Sequence, residues 1–66
     1  MEQEITMEQV AQYRQAMVEA AQQMEWVSKE AMQEAIAQIQ EVDEEVIMGL
    51  IEKGYSPSYM VEISNM

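Results

Sequence analysis

Residues 7–42, MEQVAQYRQAMVEAAQQMEWVSKEAMQEAIAQIQEV, decide the fold class of this chain. They hold no glycine and no proline, and neither residue occurs anywhere before Gly49. Advanced at about 100° per residue, as in an α-helix, Val10, Tyr13, Met17, Ala21, Met24, Ser28, Ala31, Ala35, Ile39 and Val42 fall in one narrow stripe. On the opposite side lie Glu8, Glu19, Glu30 and Glu41, eleven residues apart. That interval is three helical turns, with a drift of only about 20° per step. Ala, Gln, Glu and Met dominate, all strong helix formers.

Both faces stay in phase past Ser28, so the spacing predicts one continuous helix of about 36 residues, roughly 54 Å long. The competing reading is a compact three-helix bundle broken near Ser28-Lys29, with Ser28 as N-cap. Helix reversals usually recruit Gly, Asn or Pro, and none is present there, which favours the unbroken rod.

The ends of the stretch carry their own signals. Thr6 is a good N-cap, and Gln9 at the third helical position completes a capping box, with Glu8 complementing the helix dipole. Residues 1–5 form a short acidic lead. Asp43 is placed to cap a second helix over about 44–53, with Glu44 and Glu45 in its first turn and Val46, Ile47, Leu50 and Ile51 on its buried face. Gly49 weakens that element, and Gly54 ends it. Ser56-Pro57 then opens a short helix over about 57–63, because Pro suits the first helical position. The expected architecture is all-α and a single small helical domain spanning 1–66: one long helix and one or two short ones.

The totals narrow the chemistry. Sixty-six residues bury little surface, so disulfides, a metal or oligomerisation normally supply the missing stability. Cysteine and histidine are both absent, which removes disulfides, the usual zinc sites and the commonest general base. An enzyme, a metal centre and a cofactor site are therefore not expected. Thirteen acidic residues face three basic ones, Arg14, Lys29 and Lys53, for a net charge of −10. Such a chain repels nucleic-acid phosphate and anionic membrane and attracts basic surfaces. Its apolar runs are too short to span a bilayer and its first residues are acidic, so a cytoplasmic protein is expected.

A rod this long carries more apolar surface than the remaining residues can cover. Self-association, as a homodimer, is therefore expected through Val10, Tyr13, Met17, Ala21, Met24, Ala31, Ala35, Ile39 and Val42. Small residues at Ala21, Ser28, Ala31 and Ala35 would let a neighbouring helix approach closely. Arg14 has no acidic neighbour one turn away, and reads either as an ion-pair donor to another chain or as a solvated head on an apolar stem.

Glu8, Glu19, Glu30 and Glu41 form either a docking ridge for a basic groove or simply the solvated face of an amphipathic helix. Trp26 lies among these carboxylates on a continuous helix. It is either an anchor for a partner's pocket or a residue turned inward by a break in the helix. Eight methionines suit core packing and adaptable contact surfaces. The segment 44–63 loosely resembles a helix-turn-helix in outline, but residues 54–66 contain no Lys or Arg, which argues against DNA reading.

Two functional expectations follow. One is an acidic protein-binding module that inhibits or regulates a partner with a basic surface, such as a nucleic-acid-handling protein. The other is a homo-oligomeric adaptor whose business is assembly.

Overall fold

The computed structural model describes residues 4–64. Four helices follow one another: α1 (Met7–Gln23), α2 (Lys29–Glu41), α3 (Glu44–Lys53) and α4 (Pro57–Ser64). The first three residues of the acidic lead lie outside the described part.

The single helix expected over 7–42 does not form. α1 stops at Gln23, and Met24 takes an extended conformation, with its N–H donating to the Ala21 carbonyl at 3.4 Å. Ser28 is extended too, and its hydroxyl accepts from the Ala31 N–H at 3.1 Å to start α2. This is the break near Ser28 that the competing reading required, although four helices result rather than three. The local reason is legible afterwards. Trp26-Val27-Ser28 is a run of three consecutive weak helix formers, unlike anything else between Met7 and Glu41. The energetic reason is that a reversed α2 buries its apolar side against α1 within one chain, without waiting for a second copy.

The remaining punctuation follows local chemistry. At the start of α1, the Thr6 hydroxyl accepts from the Gln9 N–H at 3.2 Å, and the Gln9 side chain accepts from the Thr6 N–H at 2.9 Å. α3 begins after an extended Asp43, which makes no side-chain cap; only its carbonyl serves, accepting from Val46 and Ile47. Gly54 ends α3 in the left-handed region, at φ 81°. Its N–H reaches Ile51, and the Tyr55 N–H reaches Leu50 at 3.1 Å, the paired bonds of a Schellman ending. Ser56 caps α4 by accepting from the Tyr59 N–H at 3.2 Å.

α1 is the central element and packs against each of the other three. It supplies Val10, Met17, Val18 and Ala21 to the interior, while α3 adds Ile47 and α4 adds Val61. Ala21 and Ile47 are wholly inaccessible. α2 buries no residue completely; Ile36 and Ile39 lie against the core as a partial cover. Val10, Tyr13, Met17, Ala21 and Met24, expected to face another chain, therefore belong to this chain's own core or its edge. Ala31, Ala35 and Ile39 on α2, and Val42 just after it, are partly buried. The apolar side that was to outrun its cover is largely covered by the fold itself.

Candidate protein-binding surface

The interior contains no buried polar or charged residue among those described. Every described carboxylate is exposed: Glu4, Glu8, Glu19, Glu25, Glu30, Glu34, Glu41, Asp43, Glu44, Glu45, Glu52 and Glu62. The acidic excess therefore lies at the surface, where it does nothing for the core.

The three cations are used unequally. Arg14 projects from α1 to the far end of α2, where one terminal nitrogen donates to the Ile39 carbonyl at 2.6 Å and the other to the Val42 carbonyl at 2.7 Å. α2 has no basic residue in its own last turn, so its orphan carbonyls and negative dipole end are met by a guanidinium from another helix. Arg14 is thus not the solvated head that one of the two readings expected. The planar fork fits this task, since it holds two acceptors at once. With Arg14 engaged, only Lys29 and Lys53 remain as exposed cations against twelve exposed carboxylates.

The reversal of α2 also rearranges the acidic row. Glu8 and Glu19 stand on α1, Glu30 and Glu41 on α2, all four exposed. They no longer share one face of one rod, and the spacing of about 16 Å that a continuous helix would impose does not apply between Glu19 and Glu30. Trp26 sits in the α1–α2 turn, partly buried against the core, and its indole N–H donates to the Ala21 carbonyl at 2.6 Å. It acts as a side-chain cap for α1, which likewise lacks a basic residue in its last turn. Its neighbour Val27 is almost completely bare, at 98% exposure.

Two surface features adjoin each other at Val42. One is a depression at the α2–α3 elbow, lined by Arg14, Val42, Asp43, Glu44 and Glu45. Three carboxylates and one guanidinium leave it with a formal charge of −2. The other is an apolar groove of about 170 Å³ between α2, α3 and α4. Ala35, Gln38, Ile39 and Val42 form one wall and Val46 and Leu50 the second. Met60, Val61 and Ser64 form the third, with Met17 of α1 beneath. Val46 on its rim is 53% exposed. This groove escaped sequence reading because its three walls meet only after α2 turns back.

A second apolar patch lies at the α3–α4 turn and the start of α4, where Tyr55 and Tyr59 stack with ring centroids 6.1 Å apart and planes 20° apart. The Tyr13 hydroxyl donates to the Tyr55 carbonyl at 2.8 Å and ties this turn to α1. Burial raises the Tyr13 hydroxyl pKa above its ordinary value.

Among the described residues no three His, Cys, Asp or Glu side chains gather so as to hold a metal ion. No described helix is long and apolar enough to cross a membrane. Comparison with known protein families, with curated proteins and with solved structures finds no match.

Proposed function

We propose that this chain is an acidic protein-binding module that regulates or inhibits a partner by docking on its basic surface, as on a nucleic-acid-handling protein. One observation carries the reading. All twelve described carboxylates stand exposed, while one of the three cations is consumed inside the fold. A domain of this size stays soluble at smaller imbalance, so the remaining charge is available for recognition. Complementary charge speeds encounter and selects among partners more than it supplies affinity, which suits a competitor for phosphate-binding surfaces. The adaptor alternative loses its main support, because the stripe meant for assembly is largely spent within one chain.

The test is affinity capture from the organism that encodes the chain, repeated with Glu19→Lys and Glu30→Lys together. A basic partner is expected, with capture weakened by charge reversal and by salt. Recovery of the chain's own copies alone, or capture indifferent to both changes, would remove the reading.

A further inference from the structure

We infer that the groove between α2, α3 and α4 receives the apolar face of a basic amphipathic helix from the partner, an inference that rests on the acidic-module reading above. Eight of the groove's ten lining residues are apolar, two of them methionines (Met17 and Met60), with Gln38 and Ser64 the polar exceptions. Methionine adapts to irregular shapes and is favoured on surfaces that accept helices. A volume of about 170 Å³ is below the roughly 300–1,000 Å³ of small-molecule sites and suits inserted side chains. The described residues form helices and no strand, so no sheet edge is available to an extended peptide.

Charge decides which helix. Val42 lines both the groove and the elbow that holds Asp43, Glu44 and Glu45. A helix laying apolar residues at i and i+4 along the groove brings its flanking side chains towards those carboxylates, so they should be Lys or Arg. A second copy of this chain is the poorer occupant. It would bring a further net charge of −10 to the complex, for a total of −20.

The experiment titrates the chain with a Leu/Lys peptide whose leucines share one helical face, and with a scrambled peptide of equal composition, at low and at physiological salt. Trp26 fluorescence and calorimetry report binding. The amphipathic peptide should bind at least about tenfold more tightly than the scrambled one. Val46→Asp should erase that advantage, with circular dichroism verifying the fold and Val46→Ser as a milder second variant. The aspartate adds negative charge, so an association by charge alone would be equal or stronger in Val46→Asp. Equal binding of both peptides, undiminished in the variant, overturns the groove and leaves the acidic-module reading standing. Failure of both peptides to bind at low salt overturns the groove and the acidic-module reading together. Self-association of the parent chain that Val46→Asp abolishes assigns the groove to a second copy and also overturns the inference.

Discussion

The two turns flanking the middle of the molecule reverse or redirect a helix by different means. Between α3 and α4 the chain turns on Gly54, Ser56 and Pro57, residues whose backbone preferences make the turn by themselves. Between α1 and α2 the chain turns through Met24, Glu25, Trp26, Val27 and Ser28, with no glycine, proline or asparagine. Here the stopping work falls to side chains: Trp26 on the Ala21 carbonyl and Ser28 on the Ala31 N–H. Arg14 then secures the far end of the returning helix. One turn is written into its own residues. The other rests on side-chain bonds together with packing, and it is the one that decides how much apolar surface the chain leaves open.

That difference can be broken outright. In Trp26→Ala with Ser28→Ala two side-chain locks of the first turn vanish, while the stripe from Val10 to Val42 remains in helical register. The helix should then run straight through and seek a second copy for its uncovered face. Analytical ultracentrifugation should show a higher mass than for the parent chain, whereas Ser56→Ala should leave the mass unchanged. An unaltered mass in the double variant would show that packing alone maintains the turn.

The next effect concerns Arg14. Arg14→Met keeps the apolar stem but strips two charge-assisted bonds from the end of α2, at an expected cost of about 2 kcal/mol in urea denaturation. Hydrogen exchange should localise the loss to the last turn of α2. Arg14→Lys should recover less than half, because one ammonium does not span both carbonyls as the fork does.

The two glycines sharpen the contrast in opposite directions. Gly54→Ala places a Cβ on a left-handed backbone and should cost about 1 kcal/mol. Gly49 lies inside α3, and a Cβ there meets nothing within 4 Å. Gly49→Ala should therefore raise stability by about 0.5–1 kcal/mol, seen as a higher denaturation midpoint.

The smallest effect links the second turn to α1. Tyr13→Phe removes the bond to the Tyr55 carbonyl and should cost about 0.5 kcal/mol. Burial raises the Tyr13 pKa, so the folded state retains its proton more firmly than the unfolded state. Stability from this group is present below the unfolded tyrosine pKa of about 10 and declines as pH climbs through the folded value. The phenylalanine variant should lack that part of the alkaline decline.

Much of the fold was legible residue by residue. The helical class followed from periodicity and composition, and the capping box at Thr6 and Gln9, the ending at Gly54 and the start at Ser56-Pro57 each rest on groups within a few positions of one another. The groove and the clamp of Arg14 were not legible, whereas a Trp26 turned inward by a break in the helix was one of its two expected readings. Periodicity gives the same phase whether a helix continues or folds back after whole turns, so the stripe was compatible with both. Arg14 was misread for a related reason: its partners lie 25 and 28 residues away, beyond any local window.

By itself, then, the order of residues determined the helical class, three of the four helix starts, the left-handed stop and the strongly negative charge. All of these depend on short-range sterics, hydrogen bonding or simple counting. Tertiary structure decided between a straight rod and an α2 that turns back on α1, and it alone decided that Arg14 holds the end of α2 and that an apolar groove opens beside an acidic elbow. Each requires surfaces distant in sequence to meet, and the free energy of burying them together is what bends a chain whose local preferences permitted a straight one.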